Sequence, residues 1–279
     1  MYKRVFGSWK AACECAGIPW SRKKKVGGRK ADYIIGEIRI NNQGDIGKIV
    51  DYNGTNEIVI EFQDEKKFRK IITYSNWKKG TFKNPYRKNI FGIGCVGNSP
   101  TKINNAKIKS YMVWYAMMQR CYDTKSMYDK PTYEKCLVSK EWHCYEDFIP
   151  WFNENYYEIQ DEEMCLDKDI LIRNNHIYSP DTCIFVPQAI NKLFTKRQLH
   201  RGKYPIGVSY NRRSNSFAAA CSKSGKYETI GYYNNPYDAF LAYKHEKELI
   251  IKIVAEEYKS LIPQRLYDAL IRYEVYIND

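Results

Sequence analysis

Residues 166–191 read LDKDILIRNNHIYSPDTCIFVPQAIN and gather most of the side chains in the chain that could do chemistry. Asp167 and Asp169 stand two apart, which on a strand puts both carboxylates on one face. Asn191 adds an amide oxygen, and carboxylate with amide oxygens suits a hard divalent cation such as Mg²⁺ or Mn²⁺. Lys168 lies between the aspartates. Its amine has an ordinary pKa of about 10 and is a poor base at neutral pH unless burial beside a metal lowers that value. His176 has the side-chain type most often used as a general base and could take that role instead, although a lone histidine beside a turn is more often solvated. The plainer account of the aspartates is solvation at a strand end, or pairing with Arg173 and nearby lysines. The sequence leaves both accounts open.

The rest of the chain must position these groups and supply a partner. The 279 residues carry 45 Lys and Arg against 32 Asp and Glu, a net charge of +13. That excess favours a polyanionic partner, nucleic acid above all, and argues against an acidic mimic of DNA. With 44% hydrophobic and 15% aromatic residues the chain can build cores, so global disorder is excluded. Some of the 25 tyrosines could stack on bases, though most should fill cores. No run approaches a membrane-spanning length and the start, MYKRVFGSWK, has no apolar signal region. No membrane partner is expected, and the nine cysteines are expected to be reduced in a cytoplasmic protein. Cys13-Glu14-Cys15 is too tight for a zinc knuckle, which leaves only a convergence of Cys121, Cys136, Cys144 and Cys183.

The fold class expected is α+β with several domains. Residues 1–20 begin with a short helix candidate through Trp9, Ala12, Cys13 and Ala16, and RKKKVGGRK (22–30) is a basic linker. Residues 33–88 alternate at strand length between turn-rich breaks, which predicts a small β-barrel of about five strands. Residues 108–196 hold two amphipathic helices, one striped by Trp114, Met117 and Met118 and one by Phe148, Trp151 and Phe152. A strand (LDKDILI), a turn at Asn174-Asn175, a second strand (IYSPDTCIFV) and a helix from about Pro187 follow, a hairpin-then-helix order. Residues 203–275 give three strands and then a helix from Pro236 and another in IPQRLYDALIRYEV, a three-stranded sheet packed on a helix.

Several of these landmarks match known families. Trp114, Met117, Arg120-Cys121-Tyr122, Val138, Glu141-Trp142, Phe148, Trp151, Leu166-Asp167, Tyr178-Ser179-Pro180 and Asn191 resemble the HNH homing endonucleases of phages and mobile introns. Gly207-Val208, Phe217-Ala218-Ala219, Gly231-Tyr232-Tyr233, Ala239 and Ala242-Tyr243 resemble the APETALA-two/ethylene-response-factor DNA-binding domain. The FGSW and AGI of residues 6–18 resemble a fragment of the homing-endonuclease-associated repeat.

The HNH resemblance implies a ββα-metal unit over 108–196, with Asp167 and Asn191 holding one divalent cation (Mg²⁺ or Mn²⁺) and Asp169 as a further possible ligand. It also implies a histidine base at the position where this chain has Lys168, and an intervening Asn where it has Thr182. A degenerate site is therefore expected, with Lys168 or His176 as the remaining catalytic candidates. The second resemblance, with the strand period of two, implies a sheet lying in the major groove of double-stranded DNA. Its outward set would be Ser209, Asn211, Arg213, Ser222, Tyr227 and Thr229. Arg213 would read guanine and Asn211 adenine, while Arg212, Lys223 and Lys226 would hold phosphates. Ala218, Ala219, Ile230, Phe240 and Tyr243 would form the core beneath. Three functions compete: a DNA-binding protein with a disabled nuclease site, a working metal-dependent nickase, and a viral effector that binds a host protein through the same surfaces.

Overall fold

The computed structural model describes residues 34–129, 133–194, 203–223 and 226–279. The repeat fragment at 1–20 and the basic run at 22–30 lie outside these residues. The described chain is mixed α and β and falls into two compact units, one reaching to Lys107 and including 144–146, the other comprising 108–143 and 147–279. Among the described residues no helix is long and apolar enough to cross a membrane.

The first unit is an antiparallel meander of β1 (Ile38–Ile40), β2 (Ile46–Tyr52), β3 (Ile58–Phe62) and β4 (Arg69–Ile72), paired in that order. Alternation in β3 buries Ile58, Ile60 and Phe62 on one face, where they meet Ile49, Trp77 and Phe82. The barrel expected over 33–88 does not form. Where a closing strand would be needed, the chain makes a helix, α1 (Tyr74–Lys79), because Thr73 accepts the Asn76 N–H at 3.1 Å and Gly80, at φ 66°, stops the last turn. Trp77 on α1 covers the sheet instead, stacked on Phe82 with ring centroids 4.9 Å apart and donating to Glu37 at 2.9 Å. The sheet stays open, with β1 and β4 as its edges. A short hairpin, β5 (Lys102–Ile103) with β6 (Ala106–Lys107), follows.

The second unit opens with α2 (Lys109–Tyr122) and the short α3 (Thr124–Asp129). Trp114, Met117, Met118 and Cys121 form the buried stripe of α2, and Trp114 Nε1 donates to the Trp142 carbonyl at 2.8 Å. Next come β7 (Leu137–Val138) and α4 (Tyr145–Asn155), on which Phe148, Trp151 and Phe152 pack around Trp142 and Phe185. Then β8 (Met164–Asp167), β9 (Ile177–Tyr178), β10 (Ile184–Pro187) and α5 (Gln188–Leu193) run through the stretch that carries the candidate chemistry.

The strand–strand–helix order is present, but the hairpin differs from the expected one. The first strand stops at Asp167, not at Ile172, and its antiparallel partner is β10, with Asp167 opposite Ile184 and Met164 opposite Pro187. The chain between them makes an excursion through a turn at Asn174 (φ 58°), and β9 pairs in parallel with β7. The cause is local. Asp167 Oδ1 accepts the backbone N–H groups of Asp169 (2.9 Å) and Ile170 (2.7 Å), which turns the chain out of the strand.

The remaining elements are β11 (Val208–Asn211), β12 (Ser216–Lys223), β13 (Lys226–Tyr233), α6 (Pro236–Tyr258) and α7 (Gln264–Ile271). Asn235 caps α6 by accepting the Asp238 N–H at 2.9 Å, and Pro236 fits the first helical position. The 23 residues of α6 serve two cores. Ala239, Phe240 and Tyr243 pack under the three-stranded sheet against Ala219 and Cys221. Ile251 and Ala255, joined by Leu266 and Leu270 of α7, pack against Ile184, Val186 and Ile190 of the β10–α5 corner. Leu193, Val254 and Tyr273 touch both clusters, so the sheet and the β8–β10–α5 corner are built on one continuous apolar frame.

Candidate nucleic-acid interface and a carboxylate–cation pocket

The excursion after Asp167 brings the sequence candidates to one cavity of about 760 Å³, whose walls include Asp167, Lys168, Asp169, His176 and Asn191. Arg120 and Tyr178, which the resemblance carried only as landmarks, line it too, together with Tyr133, which the sequence did not mark. Asn175 was also missed. Its side chain donates to the carbonyls of Lys168 and Ile177, both at 2.7 Å, and so shapes the loop that carries His176. Thr182, placed by resemblance between Asp167 and Asn191, bonds instead to Ser179 (2.9 Å) and the Ile177 carbonyl (2.8 Å).

Lys168 is buried, at 7% exposure, with Nζ 3.1 Å from Asp169 Oδ2. Burial works against its charge, but the Asp169 carboxylate beside it outweighs that, and the pKa is held above the ordinary lysine value. A lysine so held keeps its proton and cannot serve as a general base at neutral pH. Asp167 moves the other way from a typical ionised ligand. Burial first, then the neighbouring Asp169 charge, lift its pKa to about 6 against the pull of its two backbone N–H bonds. Asp169 is exposed and lies beyond the end of β8, so the expectation that the two aspartates share a strand face is not met.

These residues fit a divalent cation poorly. One oxygen of Asp167 is committed to two amides, and Asp169 is held by an ammonium. Among the described residues no group of three or more His, Cys, Asp or Glu could hold a metal. The cysteine convergence expected for zinc does not form a metal-holding group among the described residues either.

The three-stranded sheet is a different kind of surface. Directly paired residues share a face, and the register pairs Ser209 with Ala218, Ala218 with Tyr232, Asn211 with Ser216, Ala220 with Thr229 and Ser222 with Tyr227. One face therefore carries these side chains. The other carries Val208, Phe217, Ala219, Cys221 and Tyr233 toward α6. Down its middle strand the first face has only Ser216, Ala218, Ala220 and Ser222, while β13 alongside raises Tyr227 and Tyr232, 73% and 59% exposed. Tyr232 was not in the outward set read from the sequence, and Ala218, assigned there to the core, belongs to this face and is half-buried.

The polar members of the set divide. Ser209, Ser222, Tyr227 and Thr229 are exposed on this face. Arg212 and Arg213 are exposed in the β11–β12 turn, beyond the strand, where a period of two no longer fixes direction. Asn211 Oδ1 accepts the Arg213 N–H at 3.0 Å, so the two-bond pairing with adenine suggested by its type would have to share that oxygen. Lys223 and Lys226 stand opposite each other where β12 meets β13, one step past the Ser222–Tyr227 pair and so on the helix side. Lys223 Nζ lies 3.7 Å from Glu246 of α6.

No family model matches the chain, and neither a curated protein nor a solved structure matches it.

Proposed function

We propose that the protein binds double-stranded DNA on the exposed face of β11–β13 and that its aspartate–lysine pocket is a degenerate nuclease site. The observation that carries the first half is the face itself. A trough of small side chains lets a duplex approach the backbone, exposed hydroxyls and tyrosines stand along it, and Arg212 and Arg213 rise at its end. Hydroxyl and arginine side chains are what base edges and phosphates accept, and the net charge of +13 supplies the long-range attraction. The HNH-like order of residues supports a phage or mobile-element origin and a bacterial cytoplasmic setting for this reading.

For the second half, the proton-holding Lys168 at the position of the expected base argues for weak or absent cleavage. Asp167 and Asn191 on one cavity are what favour the competing reading of a Mg²⁺- or Mn²⁺-dependent nickase. Two measurements test the proposal. Binding of random duplex DNA should be tight at low salt and fall steeply as salt rises, and supercoiled plasmid with Mg²⁺ or Mn²⁺ should stay supercoiled. Salt-insensitive or absent DNA binding would turn the sheet into a surface for a host protein, and nicked circles would restore the enzyme.

A further inference from the structure

The cations around the pocket are unequally matched. Lys168 pairs with Asp169 at 3.1 Å. Arg173 donates to Asp279 and to the Glu274 carbonyl and lies 4.0 Å from the Tyr276 ring centroid. Arg120 is different. Its Nε donates to the Ala116 carbonyl at 3.1 Å, and its guanidinium sits 5.8 Å from the Tyr133 ring and 5.3 Å from the Tyr178 ring. Among the described residues it forms no ion pair with a carboxylate, and it is half-buried. Lys168 Nζ also lies 5.8 Å from the Tyr178 ring, so two cations converge on one buried ring.

Aromatic rings hold such cations without neutralising them. A half-buried guanidinium with no carboxylate beside it keeps its full charge, so an anion entering the cavity meets a cation that is not neutralised. Its fork of N–H donors matches the oxygens of a phosphate. Asp167 would oppose an anion, but one of its oxygens is already turned onto two backbone amides.

We propose that this cavity binds a phosphate group directly on Arg120, with Lys168 as the second cation and no metal between. The occupant is thus an anion where the order of residues suggests a cation site. The inference rests on the DNA reading only for the expected source of the phosphate, a nucleic-acid backbone.

The test uses the full chain in EDTA, with inorganic phosphate titrated against chloride at constant ionic strength and binding read from the rise in melting temperature. Phosphate should stabilise saturably and chloride should not. Arg120→Gln should weaken phosphate about tenfold or more, and Lys168→Gln by a smaller factor, since a bidentate charged contact is the stronger of the two. Should Arg120→Gln fail to fold, Arg120→Lys keeps the charge, loses the fork and must still weaken binding severalfold. Equal responses to phosphate and chloride, a response independent of residue 120, or one that appears only with Mg²⁺ would overturn the proposal.

A thymidine dinucleotide with and without a 5′-phosphate identifies the source. Binding of both forms marks a backbone diester, whereas binding of the phosphorylated form alone marks a terminal or free phosphate. Either supports the pocket, and binding of neither dinucleotide while inorganic phosphate still binds limits it to free phosphate. Tyr227→Ala, on the sheet face, should leave phosphate affinity unchanged while DNA affinity falls, so failure of the pocket and failure of the sheet give different patterns.

Discussion

The sheet face and the pocket hold their polar groups in opposite ways. On β11–β13 the hydroxyls, tyrosines and arginines stand in water on a strand framework, and the face costs the fold little. In the pocket, two aspartates and two cations are drawn together in partly desolvated surroundings, where each charge must be matched or shifted. An exposed face tolerates substitution and acts through the sum of its contacts. A buried cluster is costly to keep, and shifted carboxylates and lysines of this kind gather where binding or chemistry uses them.

The largest effect expected separates the two regions by salt. DNA affinity should fall by about an order of magnitude or more between about 50 and 200 mM salt, measured by fluorescence anisotropy, because many cations displace condensed counterions. A shallow slope would place binding on a few buried contacts and shift attention from the sheet to the pocket.

Next in size is the shared frame. Leu266 is fully buried in the cluster that joins α7 to Ile184, Val186 and Ile190. Leu266→Ala should cost about 2–5 kcal/mol, by analogy with other buried leucines. Melting followed by near-ultraviolet circular dichroism and by DNA binding should move together. Two separate transitions would show that sheet and pocket are independent bodies.

On the sheet, Arg213→Ala should weaken a preferred site by about 1–3 kcal/mol and blur its sequence preference. Lys223→Ala should do less and do it equally for all sequences, since Lys223 faces α6 and Glu246. Competition between specific and random duplexes distinguishes the two, and identical behaviour would refute the division between base and phosphate contacts.

The pocket has its own signature in pH. The Asp167 carboxyl titrates near 6 in the fold against an ordinary 3.8, so folding takes no penalty from it below the lower value. As pH rises from about 4 to about 6 the unfolded chain loses its proton first, and the native state becomes relatively less stable. Asp167→Asn keeps an oxygen for the two amides and removes that penalty. It should stabilise the protein by about 1–3 kcal/mol at pH 7 and by almost nothing at pH 4, the lower end allowing for the opposing amide bonds and the Asp169 coupling. A denaturant midpoint that is unmoved at pH 7 would show that the carboxylate is better solvated than its surroundings indicate.

The smallest effect expected is that of Lys168→His. It restores the imidazole that the HNH resemblance lacks, yet plasmid nicking with Mg²⁺ should stay at background because the oxygens around it are already engaged.

What the sequence determined by itself was the local grammar. The stripe of Trp114, Met117 and Met118, the helix beginning at Pro236, and the three strands of 203–233 followed from spacing alone, since each depends on neighbours within a few residues. Asp167, Lys168, His176 and Asn191 were candidates by type and order, and the fold places them on one cavity. Tertiary structure decided what each group is free to do. Thr73 and Gly80 make a helix where a barrel needed its closing strand, and Asp167 turns the chain by capping two amides, which takes Asp169 off the strand. Arg120 reaches the pocket from a helix more than forty residues upstream. Tyr232 joins the exposed face because Ile230 has no partner where the β12–β13 register shifts, a detail that a period of two does not carry. Residue type fixes which charges and donors exist. Burial and pairing, which depend on residues far apart in the chain, fix whether a carboxylate is a ligand, a cap or a proton carrier.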